Sequence, residues 1–187
     1  SFSGSISVGD QKSPNSNPLI AELTANMLDK GTLNMDRFEI KKLLNSLGIK
    51  IQFDSNRNAL TFSGKFLKKD TEAFMKILAD LLKNPKFDEE VFNNLKTQYE
   101  AYFLDLETST EFKASTLLSQ NLYPKDHPNY QHSLDELQKS LKVITVEDQQ
   151  VKSEEIREKM GHKNFASQHD DHQHDPNQPH GMDDASK

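Results

Sequence analysis

The stretch "LIAELTANMLDKGT", Leu19 to Thr32, decides how the rest of the chain is read. Ile20, Leu23 and Met27 recur at helical spacing, which predicts a helix over Leu19–Lys30 with Gly31 as its stop signal. Thr24 and Asn26 interrupt the apolar run, and the acid Glu22 stands beside them. Two readings follow. The helix is packed into a core with a polar face, or it presents a reactive group.

Upstream, "SFSGSISVGD" (1–10) alternates, with Phe2, Gly4, Ile6 and Val8 on one face and mostly serines on the other, as a half-buried strand does. "QKSPNSNP" (11–18) is a loop by its Pro, Asn and Ser content. Downstream, Asp36 and Glu39 fit a capping box. Ile40, Leu43, Leu44 and Leu47 form the stripe of a second helix that Gly48 ends. "IKIQF" (49–53) and "ALTFSGKF" (59–66) alternate at period two around the turn "DSNRN", which predicts an antiparallel hairpin.

Helices dominate from there. Asp70 is read as the cap of a helix carrying Phe74, Ile77, Leu78 and Leu81, broken by "NPKF" (84–87). Asp88 opens a long helix with Phe92, Leu95, Tyr99, Tyr102, Phe103 and Leu106 on one face. Thr108 with Glu111, and Ser133 with Glu136, read as two further capping boxes on either side of the turn-rich "YPKDHPNY" (123–130). "TVEDQQVKSEEIREKM" (145–160) reads as a weakly amphipathic helix. From Gly161 onward the chain is mostly polar and is expected to be disordered, since it cannot offset its ordering entropy. The order is strand, two helices, hairpin, helices. That predicts an α+β fold with an antiparallel sheet and helices on one face, in a domain over 1–150 followed by a polar His/Asp-rich tail over 151–187.

Composition narrows the function. The 187 residues carry a net charge of −6, which argues against nucleic acid and anionic membrane as partners. There is no cysteine, so disulfides, thiolate-bound zinc and a thiol nucleophile are excluded. No apolar run reaches the roughly 20 residues of a membrane span, and no signal peptide is visible. Ser1 falls inside a strand pattern, as in an excised fragment.

Taken in order, "LTANMLDKGT", "EIKKLLNSLG", "IQFDSNRNALTFSG", "LADLLKNPKF" and "LYPKDHPNY" resemble a domain of the insulinase/pitrilysin family of zinc metallopeptidases. That family includes the mitochondrial processing peptidase and the core proteins of respiratory complex III. The resemblance covers roughly 5–148. It implies two similar α+β halves closing like a clamshell on a peptide, one half carrying His-x-x-Glu-His on the helix that ends in Gly-Thr. Histidines four apart bind zinc from one helix face, and the glutamate activates the metal-bound water. Carried onto this chain, the motif falls on Glu22, Ala25 and Asn26, and a distal glutamate falls near Glu100 to Tyr102. None of the three motif residues is kept. Asn26 is a poor zinc ligand and Ala25 cannot take a proton.

The resemblance therefore points to a non-catalytic domain that binds no cofactor itself and helps enclose a peptide substrate. Zinc is expected in a partner catalytic half or subunit. The alternative is a purely structural assembly subunit like the complex III core proteins. The final strands that the family implies do not appear after about Asp148, so the domain is expected to be incomplete at its C-terminal end. The absence of cysteine and the likeness to bacterial two-domain members suggest the periplasm or cell envelope.

Plainer readings stand beside these. Glu22, Ala25 and Asn26 also fit a helix face with no chemistry, and Glu100 a solvated residue. His127 and His132 fit loop capping better than a metal pair. In the tail, His169, His172, His174 and His180 among Asp170, Asp171 and Asp175 are weak metal candidates, with a passive solvated tail as the favoured reading.

Overall fold

The computed structural model describes residues 1–9, 17–56, 58–127 and 129–166. Three strands, β1 (Phe2–Ile6), β2 (Lys50–Ser55) and β3 (Leu60–Lys65), form an antiparallel sheet in the order β1-β3-β2. Among the described residues seven α-helices accompany it: α1 (Ile20–Met27), α2 (Arg37–Leu47), α3 (Thr71–Lys83), α4 (Glu89–Thr108), α5 (Thr110–Leu122), α6 (Leu134–Val143) and α7 (Val146–Ala166). This is the α+β arrangement that the alternation of periods predicts.

Register explains why the sheet has one wet face and one dry face. Phe2, Gly64 and Ile51 stand opposite one another, as do Gly4, Phe62 and Phe53, so these residues share one face. Buried Phe74 of α3 lies against that face, with its ring 5.6 Å from Phe2 and 4.1 Å from Phe66. Gly64 permits the approach, because a Cβ there would overlap the Phe74 ring. The other face carries Ser3, Ser5, Lys50, Gln52, Asp54, Ser63 and Lys65, all exposed.

Two apolar clusters make the core, and α1 lies between them. Ala25 and Leu28 join the sheet-side cluster with Ile40, Phe53, Phe74 and Leu78. Leu19, Leu23 and Met27 join the second with Phe92, Leu95, Phe103 and Leu141. Full burial of side chains such as Leu23 and Met27 stabilises by roughly 2–3 kcal/mol each.

Caps fix the helix starts. Asp36 and Glu39 make the reciprocal box of α2, and Gly48 closes that helix in the left-handed region at φ 61°. Ser133 and Glu136 make the box of α6. Two starts differ from the sequence reading. Asp70 makes no side-chain cap, because a 3-10 turn over Lys68–Asp70 leads into α3. Ser109, not Thr108, caps α5 by accepting from the Phe112 N–H, because α4 stays helical through Thr108.

Helix α7 crosses residue 150 without a break. It packs on α1 and α3, with Gln149, Lys152, Ser153 and Ile156 buried. The Thr24 hydroxyl donates to Gln149 Oε1 at 2.6 Å, tying α7 to α1 inside the core. Lys152 Nζ pairs with Glu155 at 2.8 Å and reaches Gly9 O at 3.5 Å.

Candidate functional site

Helix α1 is buried on most of its circumference. Its open strip is Glu22 and, one turn on, Asn26, continued by Asp29 beyond the helix. Any group held by α1 for chemistry must therefore stand at Glu22 or Asn26. Ala25, which the resemblance assigns to the general base, instead faces the core at 2 % exposure.

Tyr99 of α4 fills the space over this strip. Its hydroxyl donates to Glu22 Oε1 at 2.7 Å and accepts from Asn26 Nδ2 at 2.9 Å. Asn26 Nδ2 also reaches Glu22 O at 3.0 Å within the helix. The ring is held edge-on to Phe103 at 6.0 Å. Burial first, then the Glu22 carboxylate, pushes the phenol well above its ordinary pKa, so it remains a neutral donor at physiological pH.

This donor set does not fit the family's zinc. The strip holds one carboxylate, one amide and one protonated phenol, with no imidazole, and the phenol proton already occupies Glu22 Oε1. Among the described residues no group of three or more His, Asp or Glu side chains is placed to hold a metal ion. Glu100, at the expected distal position, is exposed, while Tyr99 one residue earlier faces α1. The sequence spacing puts Tyr99 on the apolar face of α4. The available signal was its polar tip, since a tyrosine hydroxyl at a core edge usually finds a partner.

The other candidates are engaged elsewhere. His127 Nδ1 accepts from the Asn129 N–H at 3.1 Å and its ring stacks on Tyr123 at 4.4 Å. His132 Nδ1 lies 3.5 Å from Glu136. Burial pulls the Glu136 carboxyl upward, but Lys125, the Ser133 N–H and His132 outweigh it and hold the group at about 2. His169, His172, His174 and His180 lie outside the described residues.

The segments that carried the resemblance meet in space. Thr32 bridges to Pro85, Lys86 N donates to Gly31 O at 2.9 Å, and Leu33 N to Asn84 O at 2.9 Å, so "DKGT" is laced to "NPKF". Buried Thr32 accepts from the Met35 N–H at 3.0 Å. In "YPKDHPNY", Asn129 O accepts from the Ser119 hydroxyl at 2.7 Å.

Beside the strip opens a cleft of about 900 Å³. Asp29 and Lys30 from the end of the α1 segment, Gln98 next to Tyr99, one face of α2 and one end of all three strands line it. Among the described residues, no helix is long and apolar enough to cross a membrane.

Comparison with known proteins agrees with this geometry. The model of the family described as insulinase (peptidase family M16) matches residues 5–129. A Helicobacter pylori protein described as a non-peptidase homolog, YmxG, is 29 % identical over 104 residues, covering 56 % of this chain and 24 % of its own. The inactive domain of a peptidase M16 from Pseudomonas fluorescens superposes with a TM-score of 0.70 at 23 % identity, over 79 % of this chain and 36 % of that one. A mutant of the ferredoxin protease FusC, in complex with Arabidopsis ferredoxin, superposes with a TM-score of 0.63 at 15 % identity, over 82 % of this chain and 17 % of its own. The chain thus spans about a quarter of the curated relative it matches. No His-x-x-Glu-His run occurs anywhere in its sequence. The chain belongs to the insulinase family, peptidase family M16.

Proposed function

We propose that this domain is a wall of a peptide-enclosing chamber, working opposite a catalytic half that supplies zinc. The observation carrying this is the Glu22–Tyr99–Asn26 network, which occupies the strip where relatives are expected to bind metal. A protonated phenol is a poor metal ligand and a poor base at neutral pH, and this one already donates its hydrogen bond to Glu22. It does leave polar atoms on the same side as an open cleft. The length that relatives have beyond this chain's share is ample for a second half.

The test is reconstitution. A family half bearing His-x-x-Glu-His is mixed with this chain, and zinc-dependent cleavage of a quenched fluorescent peptide is followed. Faster cleavage with the chain than without it supports the proposal. A stable complex with an unchanged rate supports the second reading, a structural assembly subunit. One observation favours that reading: α5 exposes Leu117, Leu118 and Leu122 while burying Thr116 and Ser119, the inverse of an ordinary packed helix.

A further inference from the structure

The cleft beside the α1 strip has a charge opposite to that of the chain. Its lining includes five cations, Lys30, Arg37, Lys41, Lys50 and Lys65, against one carboxylate, Asp29. Lys30 is neutralised by Asp29 at 2.7 Å. Among the described residues no carboxylate lies within ion-pair distance of Arg37, Lys41, Lys50 or Lys65. Four unpaired cations thus converge on one concave surface of a chain whose net charge is −6. Concave walls of one sign focus the field and raise the local concentration of the opposite charge.

We propose that this cleft binds an acidic stretch of a polypeptide supplied in trans, which specifies the substrate class of the chamber and rests on the reading above. Complementarity of charge gives the sign. Lys50 and Lys65 stand directly opposite across β2 and β3, on the face that α3 leaves open, while Arg37 and Lys41 stand one turn apart on α2. Half-buried Leu44 lines the same space and offers an apolar contact to a side chain between the acids. A nucleic acid fits less well. Its continuous phosphate charge meets the long-range repulsion of an anionic protein, and Phe2, the aromatic residue of the lining, already packs against Phe62 and Phe74.

The experiment uses the full chain and three fluorescein-labelled ten-residue peptides of matched apolar content: Asp/Glu-rich, Ser/Gln-rich and Lys/Arg-rich. Anisotropy titrations run at about 50 and 300 mM salt. The acidic peptide is expected to bind at least tenfold more tightly than the basic one, and to weaken severalfold as salt rises. The triple variant Lys41→Glu, Lys50→Glu, Lys65→Glu should erase that preference. Its three positions are exposed, and circular dichroism checks that it folds. Equal binding of acidic and neutral peptides would overturn the proposal while leaving a peptide-enclosing role intact. So would an unchanged preference in the triple variant, no binding of the acidic peptide, or tighter binding of a single-stranded oligonucleotide. The chamber role stands or falls separately, on the reconstitution rate.

Discussion

Replacing Tyr99 with phenylalanine removes one oxygen and keeps the ring. Two hydrogen bonds vanish, the donation to Glu22 at 2.7 Å and the acceptance from Asn26 at 2.9 Å. A bond to a charged carboxylate contributes roughly 1.5–3 kcal/mol and a neutral one roughly 0.5–1.5 kcal/mol when buried. Glu22 is exposed and Asn26 half-exposed, so water replaces much of what is lost. We expect a net destabilisation of about 1–2 kcal/mol, or roughly 3–6 °C in melting temperature for a chain of this size. The edge contact to Phe103 survives, so the cost should not reach that of a core deletion. Urea denaturation followed by far-UV dichroism gives the number. A double-mutant cycle with Glu22→Gln should then show coupling of at least about 0.5 kcal/mol. If Tyr99→Phe matches the parent within error, or the cycle shows no coupling, the network does not hold α1 against α4.

Other perturbations test other parts of the fold. Ile156→Ala should cost about 2–4 kcal/mol, because Ile156 is 1 % exposed within the sheet-side cluster, whereas a tail residue would cost nothing measurable in the same denaturation. Gly64→Ala should cost about 1–3 kcal/mol through displacement of the Phe74 ring, seen as a lower melting temperature. Glu136 is held at about 2 when folded against 4.5 ordinarily, so its contribution is complete above about pH 4.5 and is lost as pH falls toward 2. Because its partner Lys125 is 70 % exposed, that contribution is screened to about 1 kcal/mol, and Glu136→Gln should flatten the acid limb of a stability–pH profile by that amount.

The legible parts of the sequence were those written within a few residues. Asp36 with Glu39 and Ser133 with Glu136 each pair a short acceptor with a glutamate three positions on, and both boxes form. The hairpin also followed, because period two shows in "IKIQF" and "ALTFSGKF" before any packing is known. One-residue shifts were not legible. Thr108 and Ser109 are equivalent caps in isolation, and only the register of α4 decides between them. The same holds at the candidate site, where the resemblance puts a distal glutamate near Glu100 to Tyr102. One step along a helix turns a side chain by about 100°, and Tyr99 is the residue that arrives. Helix α7 was hardest to judge. The face it buries includes Gln149, Lys152 and Ser153, so an apolar count understates its packing, and its place in the core depends on Thr24, 125 residues away.

Zinc-dependent peptidase activity of the unmodified full chain is the most direct measurement. The chain, freed of metal by chelation and then given one to ten equivalents of zinc, is incubated with a mixed library of quenched fluorescent peptides. Cleavage no faster than in the protein-free blank is expected at every zinc level, because Tyr99 spans the strip on which ligands would have to converge. Cleavage that rises with zinc, stops with chelator and is abolished by Glu22→Gln would contradict it, and would make α1 a working metal site.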